Sequence, residues 1–453
     1  MTTAAHRVQF DVNPRPSNLA SGWLPPYGSA GMQAFFDRIL DAPHTPLAPS
    51  VQALATYIED NGVAQVVRTA LDERGDAAPM SLLAARGQAR PRIRDIDTLL
   101  HGFNTVLTQA PAFYDGELVG LPFSALATGI DPACGATNLF RLPTINLLTS
   151  AILRDWGTFL DSPASNTGFR TAGEQWMTPA VMDRYGYRLY EKDAPALPAW
   201  RSWNAFFTRA FEDPQQARPV ADPASNDTVV SPNDGTLFRW DRHIDGADRF
   251  WFKDMRYALA DILSSPDPAQ QDTIDAFRLR ELFDGGAIFQ TSLSPYDFHR
   301  WWAPVNGEVL FDPFVIPGCF FNRLILPHAA SGPAGASVPY LAKLNARGLI
   351  VFKTEDHGHV CCIPLGMSEA SSVAFDPAMR RGATVRKGQE MGMFNYGGSS
   401  FAVIYEKLPG KELVFLDAEG VPTPNRSNLF GAMGQGGHPV RVGARIGVWH
   451  TRK

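Results

Sequence analysis

The stretch Phe394-Asn395-Tyr396-Gly397-Gly398-Ser399-Ser400-Phe401-Ala402-Val403-Ile404-Tyr405 sets a hydroxyl nucleophile directly after two glycines and ahead of an apolar, strand-like run. Glycine has no Cβ, so the Gly398 carbonyl is open to close approach and the bond before Ser399 can be held in an unusual geometry. That suits a serine attacking its own backbone. Alone, the same residues better describe a tight turn before a C-terminal strand. No G-x-S-x-G surrounds Ser399, so a hydrolase nucleophile elbow does not fit.

Outward from this stretch, short apolar strands alternate with turn residues through the second half of the chain. Thr236–Trp240, Ala287–Gln290, Leu349–Phe352 and Val440–Gly443 are separated by Gly, Pro, Asn and Asp. One helical interruption is expected around Tyr257–Leu263. The first half reads differently. Phe35, Phe36, Ile39 and Leu40, then Val51, Leu54, Ile58 and Val63, recur at helical spacing, as do Ile93, Ile96, Leu99, Leu100, Phe103 and Leu107. Residues 141–160 form a third helical block, and an aromatic-rich helix-and-loop region spans Met177–Phe211. The expected fold class is α+β: an irregular arm over residues 1–30, a helical domain over 31–205, and a mostly antiparallel β-rich domain over 206–453.

Composition narrows the function classes. The chain has 453 residues, 45% hydrophobic and 19% charged, which describes a globular protein with a large core. A net charge of -5 without basic runs gives no general attraction to nucleic acid or anionic membranes. Leu142–Leu160 is broken by Pro143, Arg154 and Asp155 and is too charged to span a bilayer. The N-terminus lacks the apolar core of a signal peptide. A soluble, cytoplasmic protein is expected, with Cys134, Cys319, Cys361 and Cys362 as thiols. Cys361 and Cys362 are adjacent in an apolar run and should point to opposite faces of a strand.

Three further motifs bear on chemistry. Ser231-Pro232-Asn233-Asp234-Gly235 is a turn signature in which Asp-Gly supplies the reversal. Asp297-Phe298-His299-Arg300-Trp301-Trp302 crowds a histidine, an arginine and aromatics ahead of Asn306-Gly307. It reads either as a packed strand edge or as a general base in an apolar surround. Asp356-His357-Gly358-His359 lacks further ligands at metal spacing and reads as a solvated turn, so no metal is expected. Gly431–Gly437 reads as a loop, not a phosphate cradle.

Taken together and in order, these segments resemble the phosphatidylserine decarboxylase family of pyruvoyl enzymes. Phe206-Phe207-Thr208-Arg209 followed by Arg218-Pro219-Val220 resembles the family's entry segment. Ser231–Gly235 is similar to its Ser-Pro-x-Asp-Gly turn, and Asp297–Gly307 to its histidine block. Val385–Phe394 resembles its lead-in, and Gly398-Ser399-Ser400 stands at its Gly-Ser-Thr processing site. Asp155–Leu160, Gly366–Glu369 and Gly392–Ala402 echo a subgroup with a helical domain ahead of the catalytic one. That subgroup includes the fungal L-tryptophan decarboxylase of psilocybin biosynthesis.

The resemblance implies that Ser399 attacks the Gly398 carbonyl, with His299 as base oriented by Asp234, and that the cut leaves a pyruvoyl cofactor derived from Ser399. It implies a carboxy-lyase acting on a small amino-acid substrate, aromatic such as L-tryptophan. Phe298, Trp301, Trp302 and Ser400 are the expected substrate-binding residues, and the two fragments stay associated. Two positions depart from the family pattern: Phe298 replaces a tyrosine, and Trp302 replaces a second histidine, which removes a basic nitrogen. The alternatives are a phospholipid decarboxylase working at a membrane surface and a non-catalytic binding protein on the same fold.

Overall fold

The computed structural model describes residues 25, 29–68, 93, 95–127, 142–169, 200–318, 345–416, 426–428 and 438–451, apart from short interruptions of which Gly398 is one. The expected N-terminal arm apart from Pro25, Ser29 and Ala30, the part of the aromatic-rich region before Trp200, Cys134, Cys319 and the Gly431–Gly437 loop lie outside the described residues.

Helices fill the first half. Ser29 caps the helix Ala30–Leu40 by accepting the Met32 N–H, and its buried face is Met32, Phe35, Phe36 and Ile39. Pro49–Asp60 buries Val51, Leu54, Ala55 and Ile58. Asp95 caps Ile96–Val106 through the Thr98 N–H, leaving Leu99, Leu100, Phe103 and Val106 inside. Pro143, favoured at a first helical position, opens the helix Pro143–Asp161, which buries Ile145, Thr149, Ile152, Trp156 and Leu160 at intervals of three and four. The short helix Pro122–Ala127 is buried at every residue.

From Thr228 onward strands dominate, and every strand pair among the described residues is antiparallel. The principal sheet runs Thr384–Val385, Gly307–Val309, Arg347–Lys353, His359–Gly366, Ser399–Tyr405, Ala287–Leu293, Gly235–Asp241 and Arg426–Asn428 in spatial order. The serine strand, Ser399–Tyr405, lies near its centre, paired along its whole length with His359–Gly366 on one side and Ala287–Leu293 on the other. All seven of its residues are buried. A second, three-stranded sheet joins Val373–Phe375, Glu390–Phe394 and Arg300–Trp302, and a third joins Lys411–Phe415, Arg445–Thr451 and Thr228–Val230.

Alternation along the serine strand divides the core. Phe401, Val403 and Tyr405 belong to the cluster that continues into the N-terminal helices. Ala402 and Ile404 belong to a second cluster beneath short helices at residues 259–282. Cys361 and Cys362 divide between the same two clusters, as their adjacency in a strand requires. Two local readings differ from expectation. The single helical interruption is three helices, Leu259–Ile262, Pro268–Ala276 and Leu279–Leu282. The strand at Val440 is His438–Val440 and stops before Arg441, where Gly443 turns the chain at φ +80°. No helix among the described residues is long and apolar enough to cross a membrane.

Candidate active site

Strand register brings three separate motifs to one end of the principal sheet. Ser399 opens the serine strand opposite Leu293, the last residue of its neighbour. In the next strand, Thr236 and Leu237 pair with Ser292 and Thr291, so Asp234 lies just beyond the same end. Gly235 permits the close packing there, since a Cβ would come 2.7 Å from the Ser292 carbonyl oxygen. On the other flank Ser399 pairs with Gly366, the last residue of its strand.

Ser399 is buried, and its Oγ has no hydrogen-bond partner among the described residues. A buried hydroxyl without a partner costs free energy and calls for an explanation. The chain reaches it through Gly397, whose φ of +134° suits glycine. Gly398 lies outside the described residues.

His299 is fully buried. Its ring stacks on Phe207 with centroids 3.7 Å apart, and its carbonyl accepts the Phe394 N–H at 2.9 Å. Phe207 also packs against Tyr396, at 4.8 Å, so one phenyl ring bridges the histidine and the segment leading to Ser399. Burial drives the His299 pKa well below the usual imidazole value, and the nearby Arg209 pushes the same way. The backbone of Asp297 and Ser294 and the Asp234 carboxylate oppose them only in part. The imidazole is therefore neutral at physiological pH, the form that can accept a proton.

Asp234 is buried and enclosed by donors. Arg218 Nε and Nη2 donate to it at 3.0 and 2.6 Å, the Val442 N–H at 2.8 Å, and Arg441 at 3.4 Å. Burial raises its pKa, but the two arginines and the backbone N–H together outweigh burial and hold it at about 2. Its influence on His299 is through charge, favouring the protonated imidazole. Arg209 holds the start of the histidine block, donating to the carbonyls of Tyr296 and Asp297 at 2.7 Å each.

The expected substrate residues divide among different packing groups. Phe298 packs on Phe211, at 4.2 Å, and on Trp302. Trp302 also meets Phe211, and its backbone N–H donates to the Pro232 carbonyl at 2.8 Å. Trp301 lies among Phe375, Phe394 and Phe401. Ser400, next in line to Ser399, faces the second core cluster, and its Oγ donates to the Thr291 carbonyl at 2.6 Å. The His-Gly-His turn is not solvated: His357 is buried and contacts Asp227 at 3.1 Å, while His359 pairs with Glu406 at 2.7 Å. No cluster of metal-ligating groups occurs among the described residues.

Asn204 had no sequence signal, and Tyr396 and Arg218 had none beyond membership of a longer motif. Asn204 holds the approach to Ser399: it accepts the Tyr396 N–H at 3.2 Å and donates to Asn395 and Asp161. Tyr396 lies between Trp156, Trp203 and Phe207, and its hydroxyl donates to the Gly120 carbonyl at 2.7 Å. Arg218 was visible only as part of an Arg-Pro pair.

Comparison with known proteins adds an independent line. A phosphatidylserine decarboxylase family model matches residues 203–420, and a second model described as the same enzyme matches residues 48–185. The chain is 30% identical over 311 residues to a decarboxylase, iboD, of Amanita muscaria, covering 63% of this chain and 84% of that protein. It is 25% identical over 349 residues to the L-tryptophan decarboxylase of Psilocybe cubensis, covering 71% and 75%. Against the phosphatidylserine decarboxylase proenzyme of Ruminiclostridium cellulolyticum it is 28% identical over 229 residues, covering 49% and 67%.

Proposed function

Because this chain belongs to the phosphatidylserine decarboxylase family of carboxy-lyases, we propose that it cuts itself between Gly398 and Ser399 and decarboxylates a free amino acid, aromatic ones above others. Residues 31–205 serve as a helical associated domain and residues 206–453 as the catalytic domain. The observation that carries the reading is the buried Ser399 Oγ, without a hydrogen-bond partner among the described residues, at the start of a central strand and preceded by two glycines. A hydroxyl so placed fits a residue that is consumed in making a cofactor.

In this reading His299 takes the Ser399 hydroxyl proton while Oγ adds to the Gly398 carbonyl carbon. The C–N bond breaks as the C–O bond forms, giving an ester and a free amine on residue 399. Loss of the α-proton and of the Gly398 carboxylate leaves a dehydroalanyl residue, and its imine tautomer takes up water and releases ammonia. The product at position 399 is a pyruvoyl group. That group supplies an electrophilic carbonyl and an electron sink for decarboxylation. His299 is the proton carrier on both occasions. Asp234, fixed by Arg218, stabilises the imidazolium by charge.

An amino-acid substrate is favoured over a phospholipid because the L-tryptophan decarboxylase relative is matched across both halves of this chain, whereas the bacterial proenzyme is matched over 49% of it. Intact mass under denaturing conditions tests the first claim: two fragments are expected, the smaller beginning with a pyruvoyl-blocked residue 399. Ser399→Ala and His299→Ala should each leave one uncut chain, and efficient cutting in either would refute that residue's role. Assays on free L-tryptophan and on phosphatidylserine vesicles test the second, with turnover of the vesicles alone overturning it.

A further inference from the structure

Glu369 is a buried carboxyl group with a singular setting. The Ser124 N–H donates to its Oε1, and the Ser124 side chain and Phe123 backbone also favour its charge. Among the described residues its buried Oε2 has no hydrogen-bond partner. Burial pushes its pKa up to about 8, so at neutral pH the group is a carboxylic acid that can both donate and accept. Its backbone is held at φ +69°, an uncommon value for a residue with a side chain. Strain of this kind persists where surrounding structure enforces it and concentrates at functional positions.

Its position follows from register. Gly366 pairs with Ser399, and the two strands are antiparallel. Glu369 comes three residues after Gly366 and Tyr396 three before Ser399, so both chains leave the ladder at the same end. Three residues span at most about 10 Å and paired strands lie about 5 Å apart, so the Glu369 Cα is within about 15 Å of the Ser399 Cα. The Glu369 carboxyl is near enough to the Tyr396 phenol that its ionised form raises the phenol's pKa. Tyr396 packs on Phe207, and Phe207 stacks on His299. The carboxyl thus lies where the helical half, through Ser124, meets the catalytic half.

We propose that Glu369 is a specificity-determining residue whose free carboxyl oxygen hydrogen-bonds an N–H or O–H on the side chain of the substrate. This rests on the amino-acid reading above. The α-amine and α-carboxylate are the reacting groups, and the carboxylate departs, which leaves the side chain as the part of the substrate to be read. A site whose buried polar group is satisfied only by the correct ligand rejects an isostere lacking the donor.

The test compares self-cleaved enzyme on L-tryptophan and on 3-(3-benzothienyl)-L-alanine, in which sulfur replaces the ring N–H. Wild type should favour tryptophan in kcat/KM by about 10-fold or more, the scale of one buried hydrogen bond. Glu369→Gln, which keeps a donor and an acceptor, should retain that preference. Glu369→Met should bring the two substrates within about 2-fold of each other by the loss of the same bond. An infrared carboxyl band, assigned by its absence in Glu369→Gln, should shift on adding tryptophan and not on adding the sulfur analogue. Equal use of both substrates by wild type, or a preference that survives in Glu369→Met, overturns the assignment of Glu369 alone. If Glu369→Met does not fold, the wild-type pair and the infrared band decide. Turnover of neither substrate overturns the aromatic amino-acid reading and this assignment with it.

Discussion

The Asp234 carboxylate shows how a buried charge is kept in place. Removed from water, it would be protonated, yet Arg218 meets both of its oxygens and the Val442 N–H adds a third donor. Arg218 itself lies 4.7 Å from the Phe211 ring centre, which fixes the guanidinium plane. Breaking a buried pair leaves an uncompensated charge and costs about 3–5 kcal/mol. Arg218→Met should destabilise the protein by that amount in urea unfolding, measured on the uncut Ser399→Ala background so that a single chain unfolds. The acid side carries a second signature. The folded pKa of about 2 lies below the ordinary 3.8, so the carboxylate's contribution is full above about pH 4 and is lost as pH falls toward 2. In Arg218→Met burial is less opposed, and acid unfolding should begin at higher pH.

At the scale of elements, the three-stranded sheet depends on a missing side chain. Gly392 has φ +156°, and a Cβ there would run into the Trp301 ring and the Ala374 carbonyl. Trp301 is fully buried, so it has nowhere to retreat. Gly392→Ala should therefore destabilise by about 1–3 kcal/mol, the usual cost of overpacking. The readout is thermal unfolding of the uncut background, and an unchanged midpoint would contradict the packing. Legibility in the sequence divides along the same physical lines. The helices Ala30–Leu40, Ile96–Val106 and Pro143–Asp161 and the long central strands carry regular apolar periods, and these were readable. Pro268–Ala276 buries only Ile274, so no apolar stripe announced it. Ser399, His299 and Asp234 stood out because each sits in a distinctive local motif. Glu369 was legible only as the last residue of the Gly366–Glu369 echo; its buried setting was not, because its partner Ser124 is 245 positions away and only the fold brings them together.

For the whole molecule, the proposed cut divides the chain without dividing the fold. The segment after Gly398 supplies the serine strand, which lies between His359–Gly366 and Ala287–Leu293, both from the segment before it. The same C-terminal segment supplies Lys411–Phe415 and Arg445–Thr451, and the latter pairs with Thr228–Val230. His438–Val440 pairs with Gly235–Asp241 and leads into Val442, whose N–H grips Asp234. Phe401, Val403 and Tyr405 are buried in the same core as the N-terminal helices. Extracting this segment would expose those side chains, each worth about 1.5–3 kcal/mol of burial, and leave two strand edges open at the centre of a sheet. The self-cut protein should accordingly elute from gel filtration as one species holding both fragments in equal amounts. They should separate only in denaturant, together with the loss of tertiary signal in near-ultraviolet circular dichroism. Elution of a free C-terminal fragment under native conditions would contradict this arrangement of strands.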